Sequence, residues 1–318
     1  AQSLGFADFR NRVDGVVDIQ ADFAFLHWFS NGPCSNEGLF RKSGGAGDAN
    51  IVCSVTNTGE FRSESGRMVF PNAVNTYTQN AGATVLAGGG IVVSSMTLNA
   101  GALRGAGQLS ANVVNNGASV EPGASPGILE IVANATPSIA GNYTQNAGAT
   151  LVIEVGGLTP GSEHDQVLID GAATLAGTLE FRQLNGFEPS QGDALTVLTA
   201  GTLAGAFDDV VLTGFPTSIT AVTSVQGNSV VVTFANTGGG QNSNTNSNAN
   251  DNSVDNTNDN TANNDNVNSD NSNDNTGAPQ MTPDSMTDCG SGACGAGAPM
   301  LTLSMIVFLG ARRRRIHR

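Results

Sequence analysis

An all-β fold built as a β-solenoid is predicted by three features of this 318-residue chain: apolar residues recur with period two, glycine-marked turns return at nearly even intervals, and one octapeptide occurs twice. The period-two stretches are Val17-x-Ile19-x-Ala21-x-Phe23-x-Phe25, Leu151-x-Ile153-x-Val155, Val167-x-Ile169, Leu195-x-Val197 and Val230-x-Val232-x-Phe234. Such alternation marks strands with one face buried, and no stretch sustains a helical apolar period with caps. Between the strands lie Asn57-Thr-Gly59, Asn80-Ala-Gly82, Asn99-Ala-Gly101 and Asn116-Gly117, residue types that accept positive φ. Gly15, Gly38, Gly59, Gly82 and Gly101 follow one another at the spacing typical of one solenoid coil. YTQNAGAT appears at Tyr77 to Thr84 and again, unchanged, at Tyr143 to Thr150, an offset of three such coils. An irregular sandwich with long hairpins is the competing architecture. After residue 148 the period weakens, and a C-terminal β capping module is expected over 149–235.

Composition divides the rest. Residues 236–288 are almost entirely Asn, Asp, Ser, Thr and Gly, without Lys or Arg. Too little apolar area is available there to offset the entropy of folding, so the segment reads as a disordered linker with a reach of roughly 40 Å. Its Asp residues lack the spacing of a calcium-binding nonapeptide repeat.

Residues 289–318 have three parts: the motif Cys289-Gly290-Ser-Gly-Ala-Cys294-Gly295, an uncharged run over 293–311, and the cluster Arg312, Arg313, Arg314, Arg315. As a helix the run would reach roughly 28 Å, just enough to cross a bilayer. The arginines would stay cytoplasmic and the remainder would lie outside, making the chain an exported protein of the envelope or cell surface. The order resembles the bacterial C-terminal sorting signals of the MYXO-CTERM and PEP-CTERM kind, closer to the former because of the cysteine. The resemblance implies recognition by a membrane-embedded sorting protease with Cys289 or Cys294 as the processing residue. A disulfide between these two, and a plain uncleaved anchor, are the alternatives.

Cys34 and Cys53 stand close to one coil apart in the sequence. Residues stacked on neighbouring coils lie within the reach of a disulfide, so this pair reads either as a bridge suited to an oxidising exterior or as two buried thiols.

A wider resemblance covers roughly residues 75–235. Leu103 to Leu109, Pro122 to Leu129, Tyr143 to Gln145, Asp165 to Gly171 and Leu175 to Leu179 follow in order the degenerate patterns of autotransporter-type passenger repeats, and Gly192-DALTVLTAGTLAGAFDDV is similar to the strand pair that closes them. This resemblance implies a right-handed β-helical body at a bacterial surface, used in adhesion or as a stalk. A spacer and one hydrophobic segment stand where an autotransporter has its translocator barrel, so export by the general pathway is expected. Ala1 already lies in strand-like sequence, so a signal peptide or upstream coils are expected to precede it.

Catalytic candidates are sparse. Before residue 236 there is one lysine, Lys42, and two histidines, His27 and His164. Asp18 and Asp22 would share one side of a strand, Glu163 and Asp165 flank His164 in a Gly-Ser turn, and Asp208 and Asp209 are adjacent; all read as solvated groups. No third metal ligand is evident beside His164 and Asp165. Gly88-Gly-Gly90 lacks the helix and Lys-Ser/Thr of a phosphate loop. Trp28 and its neighbouring phenylalanines read as core or cap. A net charge of −14 argues against nucleic acid and anionic membrane surfaces as partners of the body. The function read from the sequence is therefore a non-enzymatic structural or adhesive surface protein without cofactor. Its partners are the membrane and a sorting protease at the C-terminus, with surface glycan or other cells as adhesion targets. The alternatives are a fragment of a polysaccharide-acting β-helix enzyme and a carbohydrate-binding stalk.

Overall fold

The computed structural model describes residues 8–22, 24–25 and 33–237. These residues are all-β, with strands and turns and no helix. The Cys-Gly motif, the apolar run, the arginine cluster, His27, Trp28 and all but the first two linker residues lie outside the described residues.

Three parallel ladders organise the strands, each pass of the chain adding one strand to each. The first contains Phe9–Asn11, Cys34–Asn36, Val55–Asn57 and Tyr77–Gln79, then residues 96–98 and 113–115, Tyr143–Gln145, and residues 173–174 and 203–204. The second contains Val16–Ile19, Leu39–Lys42, Glu60–Ser63, Ala83–Ala87, residues 102–106, Ser119–Pro122, Thr150–Val155, Thr178–Gln183 and Asp209–Thr213. The third runs from Ala24–Phe25 through Asp48–Ile51 and Arg67–Val69, ending at residues 198–200. Parallel pairing therefore passes residue 148 without a break. The antiparallel strand pairs among the described residues are those that Ser229–Asn236 makes with Ala194–Gly205 and with Ile219–Gln226 on its two sides. The hairpin covers residues 194–199, at the edge that the third ladder would leave open.

The glycine period has a steric cause. A Cβ on Gly38 would fall on the Gly15 carbonyl oxygen, one on Gly59 on that of Gly38, one on Gly82 on that of Gly59, and one on Gly101 on that of Gly82. Those oxygens are not idle: Gly15, Gly38, Gly59 and Gly82 accept from the N–H of Leu39, Glu60, Ala83 and Ala102 at 2.8–3.0 Å. Each pass turns the same corner directly against the previous one, where a side chain has no room.

Inside that corner runs a column of amides, in register as Asn11, Asn36, Asn57 and Gln79, interrupted by Leu98 and resumed by Asn115 and Gln145. All are buried. Asn11 donates to Asn36 and Asn36 to Asn57, both at 2.7 Å, while Asn36 Nδ2 also lies 2.9 Å from the Glu60 carbonyl of the next pass. The column satisfies backbone oxygens that the turn leaves unpaired, which a buried corner requires. The repeated octapeptide falls three rungs apart, Tyr77 to Met96 to Val113 to Tyr143, and does the same work in both places. Gln79 reaches the carbonyls of Ala100 and Ala102, and Gln145 those of Ala176 and Thr178. Beside the amides an aromatic row closes the core at the N-terminal end, with Phe40 stacked on Phe61 and Phe61 tilted against Tyr77, both at centroid distances of 5.1 Å.

Cys34 and Cys53 form a disulfide with Cα atoms 6.0 Å apart. The two are not opposite rungs. Cys34 faces Val55 in the first ladder, and Cys53 occupies the bend before that strand. The bridge thus ties one pass to the corner of the next.

Candidate functional site

A cavity of about 140 Å³ opens on the outer face of the second ladder between Arg104, Glu121, Gly123, Glu154, Asp165 and Arg182. Period two places the residues: Leu151, Ile153 and Val155 point inward, so Val152 and Glu154 point outward. Glu154 is opposite Arg182 in the ladder and Arg104 opposite Glu121. Arg182 binds Glu180 at 2.9 and 3.2 Å, and Glu180 also accepts from Thr213 at 2.9 Å. Arg104 stands 3.9 Å from Glu121. The rim holds strain, because Ser125 has φ of 75° without being glycine.

Asp165 forms part of the wall and is only 1 % exposed. Its Oδ1 accepts from the Gly127 N–H at 2.8 Å and its Oδ2 from the Glu154 N–H at 2.9 Å. Burial pushes its pKa up to about 7, against the two backbone donors that favour the charged form. Both oxygens are engaged in joining Gly127, at the start of a third-ladder strand, to the second-ladder strand Thr150–Val155. A cavity this small, below the ~300–1,000 Å³ of common ligand pockets, is suited to a few waters or one small polar group.

The sequence reading of Glu163, His164 and Asp165 as one solvated turn needs correction. Glu163 is exposed, its carboxylate held below the usual range by its hydrogen bonds to Thr159. His164 is 1 % exposed, and burial lowers its pKa so that the neutral ring is favoured. Its Nδ1 lies 3.3 Å from the Gly157 carbonyl; its Nε2 has no well-formed hydrogen bond, although the Thr196 carbonyl is near enough to favour the charged ring slightly. The loop folds back on the strand it leaves: Gly156 N–H bonds the Glu163 carbonyl at 2.7 Å and Asp165 N–H the Glu154 carbonyl at 3.0 Å. That return buries the last two residues of the cluster.

Other candidates are held apart. Asp18 engages Arg41 at 2.9 Å and Ser43 at 2.5 Å, whereas Asp22, beyond the end of that strand, engages Lys42 at 3.0 Å and the Gly47 N–H at 2.9 Å. Lys42 is wholly buried, and its three N–H groups are matched by Asp22 and by the carbonyls of Gly44 and Gly45 at 2.6 and 2.7 Å. Asp208 caps the turn at Gly177 at 2.6 Å. Among the described residues no group of three or more His, Cys, Asp or Glu could hold a metal. Sequence reasoning missed Arg104, Glu121, Glu154 and Arg182, whose proximity depends on register between passes. A scan against protein-family models finds no match, and a search of curated proteins finds none.

Proposed function

We propose that this chain is a bacterial surface protein with a structural or adhesive role. In this reading the three ladders are the faces of a right-handed β-solenoid, residues 236–288 are its spacer, and residues 289–318 direct its sorting or anchoring. The observation that carries the proposal is the order of the tail: Cys289 to Gly295, the uncharged run over 293–311, and Arg312 to Arg315. Two features of the body agree. The Cys34–Cys53 bridge suits an oxidising compartment. The acidic and basic side chains of the described residues are largely matched in ion pairs or held by backbone donors, an arrangement for holding shape rather than for moving protons.

Fractionation and intact mass of the full-length protein in its native host, beside a Cys289→Ala/Cys294→Ala variant, test the proposal. Envelope retention with loss of the tail, abolished in the variant, is the expected result. Retention with an uncut tail in both would remove the processing step and leave an anchor. A soluble cytoplasmic product would overturn surface display.

A further inference from the structure

The outer face of the first ladder differs from the other two in a way that a stalk alone does not need. Its central column, in register, is Thr56, Thr78, Thr97, Val114, Thr144 and Thr174. Two residues earlier on each pass stands Ser54, Thr76, Ser95, Asn112, Asn142 or Ala172, and two residues later, from Thr58 to Ala176, the chain places Thr, Asn or Ala. Not one of these positions carries a charge, in a chain whose net charge is −14. On this ladder charge is confined to the first two passes, with Arg10 in the same column and Asp8, Arg12 and Glu37 two residues to either side of it; the other ion pairs stand on the other two faces. The second ladder carries Arg41 with Asp18, Arg62 with Glu60 and Glu64, and Arg182 with Glu180; the third carries Arg67 with Asp48.

The hydrogen-bonding state of the face is just as uneven. Its exposed asparagine column is linked rung to rung, with Asn99 donating to Asn80, Asn116 to Asn99 and Asn146 to Asn116 at 2.7–2.8 Å. The hydroxyls of Thr56, Thr78, Thr97, Thr144 and Thr174 make no hydrogen bond to any described residue, and all five side chains are partly or fully exposed. A fixed row of amides therefore borders a row of free hydroxyls, each able to donate and accept. At about 4.8 Å per rung and 6.6 Å between columns, the array measures roughly 24 by 13 Å.

We propose that this face binds an ordered, uncharged polysaccharide. An occupant with charge would meet no counter-charge there, and a small molecule would find no concavity. A neutral glycan chain or crystal surface presents hydroxyls that repeat, donate and accept, as the threonines do. The face carries no aromatic platform, so attachment rests on many weak bonds, each contributing about 0.5–1.5 kcal/mol net, and becomes measurable only when many form together. The occupant follows from the adhesive reading above, but binding by the purified chain is independent of where a cell places it, so either can fail alone.

The test is depletion of the purified full chain, disulfide intact, by microcrystalline cellulose and by chitin. Expected are binding to at least one solid that survives 1 M salt, no displacement by short soluble oligosaccharides of the same sugar, and at least a tenfold loss in Thr78→Lys/Thr144→Lys. Arg62→Gln, on the second ladder, should bind as the parent does. If the lysine variant fails to fold, Thr78→Val/Thr97→Val/Thr144→Val keeps the branched shape and removes three hydroxyls, and should lose several-fold. Absence of depletion on both solids, salt-sensitive binding, or equal binding by the folded variants would overturn the proposal. Capture by growing ice without capture by either solid would also overturn it, assigning the face to ordered water.

Discussion

Replacing Gly82 by alanine tests the cause of the glycine period, and Gly186 supplies the control. The two have nearly the same backbone conformation, with φ of 68° and 70°. They differ in surroundings: a Cβ on Gly82 would fall on the Gly59 carbonyl oxygen, whereas nothing lies within 4 Å of one on Gly186. Left-handed geometry should cost each alanine about 1–2 kcal/mol, less the few tenths to 1 kcal/mol gained from a stiffer unfolded chain. Gly82→Ala must also push two passes apart where the Gly59 oxygen holds Ala83 at 2.8 Å, a further ~1–3 kcal/mol on the scale of overpacked cores. Chemical denaturation of both variants, followed by circular dichroism, should therefore separate them by about 1–3 kcal/mol, or several degrees in Tm for a body of this size. Amide exchange should place the added opening at the passes flanking Gly82, since each pass contacts only its neighbours. If Gly82→Ala costs no more than Gly186→Ala, the period reflects turn conformation alone and the close-approach argument fails.

Asn36→Ala removes the buried amide that links Asn11, Asn57 and the Glu60 carbonyl. It should destabilise by about 2–4 kcal/mol in the same denaturation assay, whereas Asn99→Ala in the exposed column should cost under ~1 kcal/mol; equal costs would deny the inner column its role. Reducing the Cys34–Cys53 bridge, or replacing both residues with serine, should cost about 3 kcal/mol for a loop of this length, and the serine variant should fall below the parent in Tm only under non-reducing conditions. Asp165, with a folded pKa of about 7 against about 3.9 unfolded, binds more protons when folded, so its contribution should make stability fall as pH rises from about 4 to 7, by up to about 4 kcal/mol. His164, depressed by burial, drifts oppositely by losing stability as pH falls below its ordinary value, so the informative quantity is the pH slope of the parent minus that of Asp165→Asn, and an unchanged slope would refute the assignment.

The corner was legible because it is made of residues with one function each. Glycine at a place without room and Asn or Gln at a place with unpaired carbonyls recur at intervals that survive in the sequence. Strand direction was less legible beyond residue 148, because the passes there are longer. The steps from Leu151 to Leu179 and from Leu179 to Val210 no longer match the earlier glycine spacing, yet the strands pair all the same. The extra residues are in corners and loops, such as Gly156 to His164, after which parallel pairing resumes, with one register shift between Ile169 and Ala172. Asp165 reads as solvated from its Gly-Ser surroundings although a contrary signal exists: it is in phase with the inward Val167 and Ile169, so the alternation that marks the strand already points its side chain inside. Its partners Gly127 and Glu154 were not visible, since nothing local to either announces a bond across 38 or 11 residues.

The same phase argument bears on the uncharged face. A strand in a parallel ladder must place one set of alternating residues outside, and solubility is satisfied by any polar type there, so the choice between charge and hydroxyl is free at each outward position. On the second ladder those positions include Asp18, Arg41, Arg62, Arg104 and Glu121. On the first, Thr-Gln-Asn, Thr-Leu-Asn, Val-Asn-Asn and again Thr-Gln-Asn follow one another over 78–80, 97–99, 114–116 and 144–146. The middle residue of each triplet points inward as part of the amide column or its apolar replacement, so the inner corner constrains it. The outer two are under no such constraint from packing. β-branching explains threonine as a good strand former, but it equally permits valine or isoleucine, and it gives no reason for the neighbouring column to be asparagine over four successive passes. An exposed asparagine ladder contributes little to stability in water, where each amide bond replaces one to solvent. What it does, beside forming the Asn-x-Gly corners, is hold a row of side chains in one orientation, and an oriented uncharged row beside free hydroxyls suits a surface that repeats.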